Sequence, residues 1–420
     1  MKKSLPFSEK QLRAIIKEFP TPFFIYDEAG IKKTADELNQ AFSWCKNYWN
    51  FFAVKANPNP YILELLKQQG MGADASSLPE LILADAIGLK GEQIMFTSNN
   101  TPPAEYKKAY ELGAIINLDD ISQIDALKDV LDGKFPELIS FRYNPGPARI
   151  TSRGNTIGSP ADAKYGITTK QLPEAYKKAR QLGAKRFGLH TMVVSNELDL
   201  QAHTQTAEML FKLVKKLKGE TGIRMEFVNF GGGLGIPYLP SQSPIDLPKL
   251  SERIKQKYEE IIVANQLHPL KIVTENGRMI TGPHGYLVTS VRSIKETYHR
   301  FVGVDATMAD LMRPGMYGAY HHITVAGKEN QPKMAQQVVG GLCENNDKFT
   351  GSKDRGLPKM EIGDVLVIHD AGAHSRAMGF NYNGKLRHGE LLLKSDGSVK
   401  QIRRNETIKD YFATLDYPGI

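Results

Sequence analysis

Lys55 ends the segment Asn50-Phe51-Phe52-Ala53-Val54-Lys55. Four apolar residues before a lysine read as a strand that delivers an amine to its C-terminal end. Burial there disfavours the ammonium form, lowers the pKa and frees an amine for a Schiff base. The same pattern also suits a lysine snorkelling out of a strand end, and Lys55 alone does not separate the two. A second feature is Phe230-Gly231-Gly232-Gly233-Leu234-Gly235, which follows another strand-like run. Glycines at such a place let backbone N–H groups approach a phosphate closely. The spacing is not G-x-G-x-x-G and a Pro-rich loop follows, so it is not a good dinucleotide fingerprint, while a plain glycine turn stays open. Glu275-Asn276-Gly277-Arg278 ends a third run. Its carboxylate could hold a protonated heteroaromatic nitrogen, and its guanidinium could grip a phosphate or carboxylate in bidentate fashion. A surface ion pair is the plainer alternative. Cys343-Glu344-Asn345-Asn346-Asp347 sets a thiol beside carboxylates. That is not the electropositive setting that activates a thiolate. It suits a thiol proton donor with carboxylates facing a substrate ammonium, or simply a small buried residue at a polar turn.

The elements that must position these groups recur along the chain. Strand-like runs are Asn50–Val54, Met71–Asp74, Ile94–Thr97, Ala114–Leu118, Leu138–Tyr143, Arg186–His190, Met225–Phe230 and Lys271–Glu275. The early ones are spaced as β-α units are. Between them lie stretches with apolar residues at helical spacing, such as Pro60–Gln69 and Ala207–Leu217. Eight such repeats predict a parallel (β/α)8 barrel, with a doubly wound open sheet as the alternative. Lys55, the glycines and Glu275 then share its C-terminal mouth, where catalytic groups of such barrels collect. After about residue 290 short runs alternate with Gly, Pro and Asp turns: Phe301–Val304, His322–Val325, Gln337–Val339, Val365–His369 and Glu390–Leu393. This predicts a second, β-rich domain, a sandwich or barrel, which the strand-like Pro22–Tyr26 could join. The expected division is a barrel domain over 35–290 and a β-rich domain over 1–34 with 291–420.

Composition bounds the class. The chain has 420 residues, 41% of them apolar and 24% charged, enough for packed cores. No run approaches the length needed to span a bilayer, and the basic start, Met1-Lys2-Lys3, precedes no apolar signal segment. Two distant cysteines, Cys45 and Cys343, fit a reducing cytoplasmic setting. The net charge of +8 is spread along the chain, so neither a nucleic-acid nor a membrane partner is expected. Ten histidines include no HExxH or HxH pattern, so no metal site is expected.

These features occur together, and in order, in one family. The chain resembles the diaminopimelate decarboxylases, pyridoxal-phosphate enzymes built like alanine racemase and eukaryotic ornithine decarboxylase. The resemblance runs from about Pro22 to about Tyr411. It rests on Ala53-Val54-Lys55-Ala56-Asn57, Phe230–Gly235, Glu275-x-Gly277-Arg278, Asp305-Ala306, Arg313-Pro314-x-x-Tyr317, Cys343-Glu344-x-x-Asp347 and Asn381-Tyr382-Asn383.

The resemblance implies that Lys55 holds pyridoxal 5'-phosphate as a Schiff base. Gly232, Gly233 and Gly277 then give backbone N–H groups to its phosphate, with Ser195, and His190 and Tyr382 lie in the cofactor site. Glu275 pairs with the pyridine nitrogen. Arg278, Arg313 and Tyr317 bind the distal carboxylate of an amino-acid substrate, Glu344 faces its distal ammonium, Tyr382 adjoins it, and Cys343 is the proton donor. It implies a homodimer in which Cys343–Asp347 reaches the neighbouring site, and decarboxylation of meso-2,6-diaminopimelate to L-lysine. A second arginine would be of no use to an enzyme acting on lysine or ornithine. The alternatives are the same chemistry on D-lysine, D-ornithine or carboxynorspermidine, or a non-catalytic regulatory relative. The sequence departs from the family at three places: Met192 replaces a ring-stacking histidine, Asn276 a proline and His374 a tyrosine.

Overall fold

The computed structural model describes residues 3–148 and 160–419. The chain divides into two compact units. One comprises 32–236 and 244–279, the other 1–31, 237–243 and 280–420.

The first unit is a closed barrel of eight parallel strands: Trp49–Ala53, Gly72–Ala75, Ile94–Thr97, Ile115–Leu118, Leu138–Arg142, Arg186–His190, Phe227–Asn229 and Lys271–Thr274. Each run expected from the sequence overlaps one of them; the first two are offset from their strands by one residue and the other six enclose theirs. The last strand pairs with the first through Trp49↔Val273 and Asn50↔Thr274, which closes the cylinder. Alternate residues face inward. One inward layer is wholly apolar, a cluster of Phe51, Met95, Ile115, Leu138, Phe227 and Val273.

Helices follow the strands for legible reasons. Helix Pro60–Gln68 starts where the Asn59 side chain accepts the Tyr61 N–H and a proline takes the first position; it buries Ile62, Leu63, Leu65 and Leu66. Helix Leu200–Thr221 is capped by Asp199 and ends at Gly222, whose φ of 70° suits glycine. It is longer than the expected Ala207–Leu217, because its first turns carry polar Gln201, His203 and Thr204.

The second unit is a nine-stranded mixed sheet. The sequence-expected strand near Pro22 is Phe23–Asp27. It runs antiparallel to Gly285–Glu296 and parallel to Glu390–Leu393. Three strands were not legible. Gly285–Glu296 is buried over its first half and mostly exposed over its second, so it shows no alternation. Arg355–Pro358 and Val399–Arg403 are edge strands, and their few buried residues leave little apolar signal. No helix among the described residues is long and apolar enough to cross a membrane.

Candidate active site

Lys55 lies in the single helical turn Val54–Ala56 directly after the first barrel strand, and Glu275 directly follows the eighth. Closure of the barrel therefore brings both to one mouth. The second strand registers Asp74 against Ala53, which puts its carboxylate beside the lysine. Lys55 Nζ stands 3.3 Å from Asp74 Oδ2; the lysine side chain is 52% exposed and the aspartate fully buried. The charge of Asp74 raises the Lys55 amine above its ordinary value, burial opposes this, and Glu275 and Glu80 add to the rise. The expectation that burial lowers this amine is thus overturned: the neighbouring strand supplies an anion that the lysine's own segment does not reveal. Asp74 is itself held above the usual carboxylate range, chiefly by burial and then by the charge of Glu275, with Lys55 opposing.

Glu275 sits at the centre of a buried hydrogen-bond set. Asn229 Nδ2 donates to it at 2.7 Å, His190 Nε2 lies 3.1 Å away and Thr97 Oγ1 donates at 3.4 Å. Burial alone would raise its pKa. The contacts with His190, Lys55 and Asn229 outweigh burial and hold it below the usual carboxylate range. The result is an ionised carboxylate at the inner end of the mouth, suited to holding a proton on a basic ring nitrogen.

The glycine-rich loop lies beside the loop after His190. Glu197 N donates to Gly233 O and Gly235 N donates to Glu197 O, both at 2.9 Å. Gly233 has φ of 102°, and a side chain on it would stand 2.5 Å from Val194 O. A side chain on Gly232 would be as close to Glu275 O. Ser195 adjoins this contact between Val194 and Asn196, and Asn196 Oδ1 accepts the Ile236 N–H at 3.0 Å. Gly277 packs where a methyl would meet the Ala56 side chain at 2.7 Å, so the segment that begins at Glu275 touches the Lys55 turn. Arg278 opens the short helix Arg278–Thr281 that follows.

Two departures from the family acquire a physical content here. Met192 Sδ accepts the Gly232 N–H at 3.2 Å. Asn276 donates its N–H to Asn50 Oδ1 at 2.9 Å, and its side chain accepts from Leu234 N at 3.3 Å. A proline at 276 could make neither contact.

The remaining sequence candidates lie in the sheet unit, on adjoining segments. Arg313 and Tyr317 bound the helical turn Arg313–Tyr317. Gly315 within it packs so closely on the Cys343–Asp347 loop that a methyl would stand 2.3 Å from Asn346 O. Arg313 lies 4.9 Å over the Tyr238 ring, and its Nε donates to His321 Nε2 at 3.4 Å. The loop is pinned by buried Asp347, which accepts Met308 N at 2.7 Å and Leu342 N at 2.8 Å. Cys343 is exposed, and its N–H is donated to Asn383 Oδ1 at 2.7 Å. That bond ties the cysteine to the Tyr382–Gly384 turn, where Tyr382 is also exposed. Glu344 Oε1 accepts the Asn346 N–H at 3.0 Å. His374 has φ of 54°.

Sequence reasoning missed Asp74, Glu80, Asn229 and Thr97. Thr97 and Asn229 end barrel strands and Asp74 stands one residue before the end of its own, while Lys55 and Glu275 lie just past theirs. Testing every strand end for polar residues would have found three of the four.

A family model for the pyridoxal-binding domain of pyridoxal-dependent decarboxylases matches residues 28–282. Protein TabA of Pseudomonas amygdali pv. tabaci is 40% identical over 99% of this chain and 98% of its own length. The diaminopimelate decarboxylase of Methanothermobacter thermautotrophicus is 35% identical over 96% of this chain and 93% of its own. Among solved structures, the diaminopimelate decarboxylase of M. jannaschii in complex with L-lysine superposes with a TM-score of 0.88, at 31% identity, over 96% of this chain and 94% of that one. With the barrel, the lysine at its mouth and the buried carboxylate beneath, these matches place the chain in the family of pyridoxal-dependent decarboxylases, carboxy-lyases that use pyridoxal phosphate.

Proposed function

We propose that the enzyme decarboxylates meso-2,6-diaminopimelate to L-lysine and carbon dioxide. The observation that carries this reading is the contact between the Arg313–Tyr317 turn and the Cys343–Asp347 loop. In each chain it braces the turn that presents Arg313 and the loop that presents Glu344 to the neighbouring subunit, the guanidinium and carboxylate that a second amino-carboxylate head requires.

The residues present fit the cofactor. Among the described residues Gly232 offers its N–H only to a thioether, a weak acceptor that a phosphate oxygen would outcompete. Gly232, Gly233, Gly277 and Ser195 would hold the phosphate, Lys55 the aldehyde end and Glu275 the ring nitrogen, with His190 behind Glu275 and Tyr382 against the cofactor. When bound, pyridoxal phosphate supplies an electron sink for the pair left behind by the departing carboxylate. Glu275 keeps a proton on the ring nitrogen, so the sink stays cationic. Arg278, Arg313 and Tyr317 orient the distal carboxylate, and Glu344 the distal ammonium. Cys343 Sγ returns a proton to the α-carbon. In the homodimer of this reading, Cys343 and Glu344 serve the neighbouring subunit's site.

The test is spectral and then chemical. Loaded protein should show a band near ~420 nm that Lys55→Ala abolishes, and meso-diaminopimelate should yield lysine and carbon dioxide in equal amounts. The band without lysine release would favour a second reading, the same chemistry on D-lysine, D-ornithine, carboxynorspermidine or another amino acid. Two observations support that second reading: the identity with TabA exceeds that with the M. thermautotrophicus enzyme, and Met192 alters the cradle.

A further inference from the structure

Parallel strands in register show the same face at paired positions, and residues two apart on one strand share a face. Two residues beyond the apolar inward layer stand Ala53, Thr97, Asn117, Ser140, Asn229 and Glu275. Register ties Thr97 to Asn117, Asn117 to Ser140, and Ser140 to Gly188. His190, two residues past Gly188, shares their face. The barrel therefore carries a polar layer directly on its apolar one, with Glu275 as a member.

Half of this layer is satisfied by protein. Thr97, Asn229 and His190 Nε2 all turn to Glu275. The other half is not. Both amide atoms of Asn117, Ser140 Oγ and His190 Nδ1 have no protein partner among the described residues, and the three residues are at most 2% exposed. Buried polar atoms are almost always hydrogen-bonded. The only chemistry that answers an amide, a hydroxyl and an imidazole nitrogen together, with no net charge, is that of water.

We propose that Ser140 and Asn117 are positioning residues that act through enclosed water on His190. Water held by Ser140 and Asn117 donates to His190 Nδ1. The ring proton then resides on Nε2 and points at Glu275. In the opposite tautomer the Nε2 lone pair would face the carboxylate, and Glu275 would have to take up a proton. The relay thus keeps Glu275 ionised from behind. It rests on the reading that Glu275 serves the cofactor ring nitrogen. Other charges face the pair. Arg142 registers with His190 and lies 3.6 Å from Asp119, and Lys55 and Asp74 flank Glu275. None of them supplies an acceptor or donor to Nδ1.

The test reads the tautomer in the full-length protein without cofactor, by ¹⁵N NMR of labelled histidines, with His190→Gln to assign the signal. Wild type should show Nε2–H alone. Ser140→Ala and Asn117→Ala should each add a population of Nδ1–H, and Ser140→Thr, which keeps the hydroxyl, should not. In loaded protein, Ser140→Ala should lower kcat about tenfold with KM unchanged, and the protonated-ring absorbance should weaken. Unchanged histidine shifts in both alanine variants would overturn the proposal. So would a high-resolution crystal structure without ordered water on Ser140 Oγ or His190 Nδ1. If the shifts move as expected but Glu275→Gln leaves the ring-nitrogen absorbance as in wild type, the tautomer relay stands and the role given to Glu275 falls.

Discussion

Lys55 is half exposed, yet its amine is held in the charged state by a carboxylate that has no exposure at all. An imine forms from the neutral amine, so Asp74 works against loading at moderate pH and at the same time fixes where Nζ lies. Asp74→Asn removes the largest cause of the raised Lys55 pKa. The pH above which pyridoxal phosphate attaches should then fall, which stopped-flow absorbance across a pH series would register; an unmoved profile would remove Asp74 from the account. This pairing was hidden in the sequence because Asp74 closes a weak run, Met71–Asp74, with no motif around it. Lys55 and Glu275 were legible because each stands in a motif. Asn276 illustrates a limit of another kind. Its bonds to Asn50 and Leu234 join residues far apart in sequence, and no local pattern announces such a contact.

At the scale of elements, barrel strands were legible because each is a short apolar run followed by a helical pattern. Their inward layers were not, because both faces of a parallel strand are buried and alternation disappears. Gly188 shows what the layers demand. The Phe227 ring fills the space over it, and a methyl there would stand 2.0 Å from the ring. Gly188→Ala should therefore destabilise the barrel by about 1–3 kcal/mol, seen as a lower urea midpoint, while Gly219→Ala, with open space around it, should not. The sheet unit offers a test of charge. His369, packed in T-shaped fashion on Tyr286, accepts or donates to Thr324 Oγ1 at 2.8 Å. Burial pushes its pKa down to about 3, with His322, Lys3 and His321 adding to the fall. The unfolded chain therefore binds more protons than the folded one from the ordinary histidine value down to about 3. Stability should fall through that window as pH falls, by up to roughly 1.4 kcal/mol per pH unit for this group. His369→Gln should flatten the dependence of the thermal midpoint on pH; an unaltered slope would assign the acid sensitivity elsewhere.

For the whole molecule, the proposed shared site has an arithmetic consequence. If Cys343 serves the neighbour's lysine, a Lys55→Ala chain and a Cys343→Ala chain are each inactive alone but complement each other. An equimolar mixture that has exchanged subunits should recover about a quarter of wild-type turnover, since half the dimers are mixed and one of their two sites is intact. No recovery after verified exchange would confine the site to one chain. The connectivity of the units has a consequence of its own. Phe23–Asp27 is hydrogen-bonded on one side to Gly285–Glu296 and on the other to Glu390–Leu393. A ribosome makes this strand hundreds of residues before either of its neighbours, a wait on the order of ten seconds to a minute at ordinary elongation rates. For that interval Phe23, Phe24, Ile25 and Tyr26 are a nascent, sticky ribbon with the whole barrel being built behind them. Synthesis of this enzyme should accordingly lean on a holdase at this strand, and silent codon changes that slow the later stretch should lower its soluble yield without altering a single contact in the finished fold.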